Sequence, residues 1–379
     1  MLVQASKPDV LSLALGLPAP EFFPNTALAR VARCLLEEQP SALQYGPPPE
    51  ALRRQIVELM AWRGVRCVPE QIMITTGAQQ ALSLLTRLLL DPGGSILVEQ
   101  LTYTGLLQAA LPLHAQIHTV PTDANAGIDV DAVEEAFRST PRPAFLYASS
   151  ESHNPLGVTI VKEHRERLVK LARHHRIPII EDDAYGFLSY DQPPIPPMRY
   201  WDDEFVLYVG SFSKIQAPAL RVGWIVAPAN IIPQLSILKE ATDINSGTIA
   251  QRILARYLEE GCLREHIAAL RTAYRERRDA LLKALTRHFE GVARWNKPSS
   301  GVFLWLELNE DIDTTELLPH ALAGHKVAFI PGASFSADGR SRAERCLRLN
   351  FSHLPPPLIE EGVARLARSV AAFRGLRRG

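Results

Sequence analysis

Ser211-Phe212-Ser213-Lys214, with Arg221 a short way downstream, gathers an amine, two hydroxyls and a guanidinium in one stretch. The apolar run 205–209 leads into it and another, 222–227, leaves it. Lys214 thus lies just past the carboxyl end of a strand, the rim where open α/β sheets bind ligands. A lysine partly desolvated there, beside a second cation, loses proton affinity and becomes a nucleophilic amine. Hydroxyls and an arginine close by suit a phosphate. An amine able to form an imine next to a phosphate cradle is what pyridoxal phosphate needs. A solvated surface charge is the competing reading of Lys214 taken alone.

Other polar residues fall just after apolar runs. Thr75-Thr76-Gly77-Ala78-Gln79-Gln80 opens an apolar helix, where free N–H groups and the helix dipole favour an anion. An ordinary strand-to-helix turn is the alternative. Tyr103 stands where an aromatic ring can stack on a planar ligand or simply pack. In Ser152-His153-Asn154-Pro155-Leu156-Gly157, Asn-Pro is turn chemistry first, the Asn154 amide can also donate to a phenolate oxygen, and His153 reads as a turn residue. Glu181-Asp182-Asp183-Ala184-Tyr185 places acids in a row at the end of an apolar strand, costly to bury unless paired. A protonated pyridine nitrogen would pair one of them. A Mg²⁺-binding carboxylate pair is the rival, but it lacks a Gly-x-x-x-x-Gly-Lys-Ser/Thr loop. His-Glu-x-x-His, Gly-x-Ser-x-Gly and Gly-x-Gly-x-x-Gly are also missing, so zinc-hydrolase, α/β-hydrolase and dinucleotide readings lose support.

The elements that must position these residues follow from periodicity. Short apolar runs at 72–75, 95–98, 117–120, 144–148, 177–180, 205–209 and 222–227 alternate with helical segments, among them 51–63, 79–90, 131–139 and 162–174. Several runs are continuously apolar, as in strands covered on both faces. The order implies an α/β fold: a mostly parallel sheet of about seven strands, sandwiched by helices. Asn25 is expected to cap a helix over 26–38. Beyond Pro228 the pattern turns helical, from Gly247 to about His288. Strands at 301–306 and 328–331, a half-exposed strand at 346–351 and a last helix over 357–373 read as a smaller α+β domain. The expected division is a leading segment at 1–44 (small-domain and dimer contacts), a large cofactor-binding domain at 45–245, interdomain helices at 246–290 and a small domain at 291–379.

The 379 residues contain 41 Lys+Arg against 41 Asp+Glu, which gives no electrostatic argument for nucleic acid or an anionic membrane. Apolar content of 46% and charged content of 22% are those of an ordinary globular protein. Four well-separated cysteines form no Cys-x-x-Cys pair, so a reduced cytoplasmic protein without a metal knuckle is expected. No apolar run reaches the roughly 18–20 residues that span a membrane.

From Leu15-Gly16-Leu17-Pro18-Ala19-Pro20 and Phe23-Pro24 to Leu347-Arg348-Leu349-Asn350-Phe351, these motifs resemble the fold-type I, aspartate-aminotransferase-like pyridoxal phosphate enzymes of class I/II. The branch most resembled is that of the aminoadipate/kynurenine/aromatic aminotransferases, which is also similar to the C-terminal domain of MocR-type regulators. With no DNA-binding domain ahead of the fold, an enzyme rather than a regulator is expected. The resemblance implies that Lys214 holds the cofactor as an internal aldimine and shuttles the proton between Cα and C4′. Asp182 would pair with the pyridine nitrogen, Asn154 and Tyr185 would bond the phenolate oxygen, and Tyr103 would stack on the ring. Gly77, Ala78 and Gln79, with Ser211 and Arg221, would hold the phosphate. Tyr45 would reach the phosphate of a neighbouring subunit, making a homodimer with shared sites. Arg348 and Asn154 would bind the substrate carboxylate, with Gly16 against the substrate.

Three departures stand out from that pattern. Ala78 stands where the family often has Ser, Ala219 replaces a usual Gly, and the segment after Tyr45 is shorter and lacks the customary glycine. The implied reaction is ping-pong transfer of an amino group between an amino acid and a 2-oxo acid. A β-lyase, decarboxylase or racemase on the same core is the alternative.

Overall fold

A computed structural model describes residues 7, 9–139, 141–339 and 343–378. In chain order the strands are β1 (Leu11–Ser12), β2 (Ile72–Thr75), β3 (Ser95–Glu99), β4 (Gln116–Val120), the short hairpin β5 (Thr122–Asp123) and β6 (Gly127–Ile128), β7 (Leu146–Ala148), β8 (Ile179–Asp182), β9 (Val206–Ser211) and β10 (Gly223–Val226). There follow β11 (Ala293–Trp295), β12 (Phe303–Leu308), β13 (Val327–Ala328), β14 (Ile330–Pro331) and β15 (Cys346–Asn350).

The large sheet has seven strands in the order β2-β10-β9-β8-β7-β3-β4. β10 runs antiparallel to both its neighbours, while the remaining pairs are parallel. Alternation of side chains explains the continuous apolar runs. Ile180, Leu207, Val209 and Ile225 pack on one face, with Ile96 and Val98. Their chain neighbours Ile179, Val206 and Leu97 pack on the other. Both faces are covered, so no position in these strands can be polar without a partner. β4 alternates exposed and half-buried residues because it is the sheet's edge.

The smaller sheet, β11-β12-β15-β14, is antiparallel. The helices Leu263–Phe289 and Pro356–Arg378 contribute Tyr274, Leu281, Ile359 and Val363 to the core that it shares with the large sheet. β1 pairs in parallel with β13, which straps the leading segment to this smaller sheet.

Four details correct or refine the sequence reading. The first helix, Asn25–Glu38, starts at Asn25 itself, with Pro24 at the cap position and no side-chain cap. The Asn25 N–H is spent on the Phe23 carbonyl at 2.8 Å, so the residue is already inside the turn. The helical region after Gly247 is two helices, Thr248–Glu259 and Leu263–Phe289, separated around Gly261 at φ +76°. A further helix, Ile232–Asp243, went unread because only Leu235 and Lys239 of it are buried. β15 is wholly buried rather than half-exposed. Its polar side chains meet protein instead of water: Arg348 donates to the Ala14 carbonyl (2.8 Å) and the Asn350 amide to the Val302 carbonyl (3.1 Å).

Candidate active site

Parallel strands that all end at one edge leave a crevice there, and a cavity of about 610 Å³ opens beyond β7, β8 and β9. Gly16, Ala78, Gln79, Tyr103, Asn154, Asp182, Tyr185, Ser211, Lys214, Arg221 and Arg348 all line it. Gly77 lies directly behind, against Arg221. Tyr45 does not line the cavity; its side chain is 75% exposed on the surface.

Lys214 is half-buried and its Nζ donates to the Gly16 carbonyl at 2.6 Å. Burial, then the charges of Arg348 and Arg221, push its pKa down from 10.5 to about 8. The amine that the sequence singles out is therefore a far better nucleophile here than on a surface.

The row of acids resolves by the pleat of β8 and its exit. Glu181 points away from the cavity and accepts from the N–H groups of Met198 (2.6 Å) and Arg199 (2.9 Å). Asp183 also points away, 3.3 Å from Arg63 Nη2 and 3.1 Å from the Tyr208 hydroxyl. Burial still raises its pKa to about 7. Only Asp182 faces the cavity. Its Oδ2 accepts from the Tyr147 hydroxyl at 2.8 Å, and its buried Oδ1 has no partner. Burial lifts its pKa to about 6, against the pull of Tyr147 and the Ala184 N–H.

The anion cradle is the start of the helix Gly77–Leu89, which no side chain caps. Thr76, the residue ahead of it, turns its hydroxyl toward Asp243 (3.0 Å) and Ser246 (2.8 Å) instead. The first N–H groups of the helix are thereby left for a ligand. Arg221, itself at φ +52° after the turn Pro218–Leu220 that contains Ala219, sends Nη2 to the Thr76 carbonyl (3.2 Å) and Nη1 to Ser213 Oγ (3.4 Å). Gly77 is required here. It sits at φ +76°, and a Cβ would lie 2.5 Å from Arg221 Nη2.

Arg348 is buried at the opposite end. Nη1 donates to Asn154 Oδ1 at 2.6 Å, and the guanidinium lies 4.0 Å from the centre of the Phe303 ring. Burial lowers its pKa to about 10, and its Nε has no partner. The Tyr185 ring meets Phe303 edge-on at 5.6 Å, and burial pushes its hydroxyl pKa well up. Tyr103 donates to Gln79 Oε1 at 3.2 Å, and Gln79 Nε2 to the Gly105 carbonyl at 2.7 Å.

His153 is buried, lies 3.1 Å from Glu99 through Nε2 and accepts the Leu156 N–H at 3.4 Å. It braces the turn that presents Asn154 and does not line the cavity.

Sequence reading missed Tyr147 and Gly105. A tyrosine inside the apolar run 144–148 is itself a signal, since a buried hydroxyl must find a partner. Nothing local marks Gly105: it matters because a Cβ there would overlap both the Gln79 amide and the Tyr103 ring.

The family model for aminotransferase class I and II matches residues 8–366. The chain is 39% identical to the aromatic-amino-acid aminotransferase 1 of Thermococcus litoralis, over 97% of this chain and 89% of the relative. It is 36% identical to the 2-aminoadipate transaminase of Thermus thermophilus, over 99% and 94%. A solved α-aminoadipate aminotransferase from Thermus thermophilus, in complex with N-(5′-phosphopyridoxyl)-L-leucine, superposes with a TM-score of 0.91 at 35% identity, covering 97% of this chain and 94% of that one. A seven-stranded sheet ending on a desolvated lysine, a single cavity-facing aspartate and an uncapped helix start are features that these likenesses explain together: the chain belongs to the aminotransferase class I and II family and is a pyridoxal phosphate-dependent aminotransferase.

Proposed function

We propose that this enzyme moves an amino group from an amino acid to a 2-oxo acid in two half-reactions, with Lys214 as the residue that carries the cofactor and moves the proton. One observation supports this above others: the side chains of Lys214 and Asp182 line the same cavity. The residues fit pyridoxal phosphate. A buried carboxylate oxygen without a partner suits a protonated ring nitrogen, and the uncapped helix start beside Arg221 suits the phosphate.

Pyridoxal phosphate supplies an aldehyde that condenses with amines and a ring that draws off the electron pair left at a substrate's Cα. The chain's own residues do the rest. With its pKa at about 8, roughly a tenth of Lys214 is unprotonated at neutral pH, so the amine can attack a carbonyl and later take the proton from Cα. Asp182, ionised, would accept from the ring N–H and keep that nitrogen protonated. The N–H groups of Gly77, Ala78 and Gln79, with Ser211 and Arg221, would hold the phosphate. Tyr185 and Asn154 would donate to the phenolate oxygen, and Tyr103 would stack on the ring. Arg348, oriented by Asn154 and Ala14, presents its fork to the substrate's α-carboxylate.

The unit is a homodimer in which Tyr45 completes the phosphate site of the neighbouring chain. Its 75% exposure, next to Leu43 at 73%, supports a surface that a second copy covers. The thiols of Cys34, Cys67, Cys262 and Cys346 are all free, which supports a cytoplasmic setting. Among the described residues no helix is long and apolar enough to cross a membrane.

Lys214→Ala tests the central role. The variant is expected to lose the near-visible absorption of the lysine-bound cofactor and nearly all turnover; retained turnover sinks the assignment. Sedimentation at micromolar concentration is expected to give the mass of two chains, and a monomer at full activity rules out the shared site.

A further inference from the structure

Behind the uncapped helix start lies a clamp whose residues do not line the cavity. Thr76, just ahead of the helix Gly77–Leu89, has a partner for each of its polar groups. Its N–H goes to Gln80 Oε1 at 2.8 Å, and its carbonyl receives Arg221 Nη2 at 3.2 Å. Its hydroxyl meets Asp243 Oδ2 at 3.0 Å and Ser246 Oγ at 2.8 Å. The same carboxylate fixes Gln80, whose Nε2 donates to Asp243 Oδ2 at 2.7 Å. Two of the side-chain contacts that hold Thr76 thus converge on one oxygen, at the last residue of the helix Ile232–Asp243. Neither Thr76 nor Asp243 lines the cavity.

A carboxylate beside a helix start ordinarily takes the free N–H groups itself. Asp243 accepts from the side chains of Thr76 and Gln80 instead, and its other oxygen accepts from Lys239 at 2.7 Å, one turn back in its own helix. The Lys239 side chain is 9% exposed and that of Asp243 24%, so the pair is largely sheltered from water. Lys239 also offsets a negative charge that would otherwise repel a phosphate in front of the loop. The first N–H groups of the helix Gly77–Leu89 stay open while the residue ahead of them is held. Because the carbonyl of that residue receives Arg221, one clamp orients both the N–H groups and the guanidinium.

We propose that Asp243 is a positioning residue for the cofactor's phosphate, acting through Thr76 and Gln80 on the helix start and on Arg221. It touches neither cofactor nor substrate; it holds in place the groups that do. This rests on the phosphate site proposed above.

The test titrates the apo protein with pyridoxal phosphate and with pyridoxal, which has the same ring and aldehyde but no phosphate, read by absorption. Asp243→Asn keeps the shape of the side chain but cannot accept from Thr76, Gln80 and Lys239 together. It is expected to weaken pyridoxal phosphate about tenfold and pyridoxal by less than about threefold, the order set by one lost hydrogen bond to a charged group. Thr76→Val, which removes the hydroxyl at nearly constant volume, is expected to do the same. Combining the two should cost less than the product of the single losses, because both break one contact. Equal weakening of both ligands marks a general loosening of the fold and overturns the proposal. So do unchanged affinities, and so do losses that multiply in the combined variant. Arg221→Gln separates the underlying reading: it too should weaken pyridoxal phosphate selectively. If it does not, the phosphate site is misplaced and the clamp with it; if it does while Asp243→Asn is silent, the positioning role alone falls.

Discussion

Replacing Asp182 with asparagine exposes the cost of burying its charge in the apo protein. Burial lifts this carboxyl from 3.8 to about 6, although Tyr147 and the Ala184 N–H oppose the shift. The folded group therefore holds its proton more tightly than the unfolded one. Its contribution to stability is full below pH 3.8 and is lost as the pH rises through about 6. A shift of roughly two units at ~1.36 kcal/mol per unit makes the ionised carboxylate a burden of about 3 kcal/mol at neutral pH. Asp182→Asn keeps an oxygen for the Tyr147 hydroxyl and removes the charge. A poorly satisfied amide adds a fixed offset that does not change with pH, so the pH dependence isolates the charge.

Urea denaturation of the apo forms from about pH 4 to about pH 8 should show the variant gaining roughly 2–3 kcal/mol on the parent across that range. Added pyridoxal phosphate should narrow or reverse the gap, since only the parent can pair its carboxylate with a protonated ring nitrogen. A difference between the two apo proteins that stays flat within about 1 kcal/mol would refute the reasoning, for it would mean that burial does not penalise the charge in the folded chain.

Tyr147→Phe should act in the opposite sense. Losing a hydrogen bond to a charged group, worth ~1.5–3 kcal/mol, moves the same pH dependence up by about one to two units, read by repeating the titration. Gly105→Ala should force Tyr103 and Gln79 apart and weaken cofactor binding by roughly tenfold, consistent with an overpacking cost of ~1–3 kcal/mol; fluorescence titration of the apo protein measures it, and unchanged affinity refutes the close packing. Gly77→Ala should cost about 1 kcal/mol for the left-handed backbone alone and also push Arg221 off the helix start, so phosphate ion should compete less well for the apo site.

Much of the site is readable along the chain because strand ends are readable. A continuous apolar run such as 205–209 signals a strand buried on both faces, and Ser211, Ser213 and Lys214 necessarily come just after it. Gly77, Asn154 and Asp182 follow other runs in the same way. Arg348 and Gly16 are different. Local pattern gives them no role, and only the likeness to a known family brings them into the site.

Local order also misled in specific places. β15 alternates polar and apolar residues and so reads as half-exposed, yet Ala14 and Val302 take up its polar side chains inside the molecule. Asn25 has the chemistry of a helix cap and is used inside the turn. The helix Ile232–Asp243 buries too few residues to show a stripe, though its Asp243 anchors the loop at Thr76.

The chain's order of residues determined that a nucleophilic lysine, a run of acids and a glycine-opened helix would meet at one edge of a parallel sheet, since parallel strands joined by crossover helices present all their carboxyl ends on one side. Which acid faces the cavity, which carbonyl receives the Lys214 amine and which tyrosine holds Asp182 were decided only in three dimensions. Those facts depend on the phase of a strand's pleat and on contacts such as Gly16–Lys214 and Ala14–Arg348, between residues 198 and 334 positions apart, over which no local periodicity carries information.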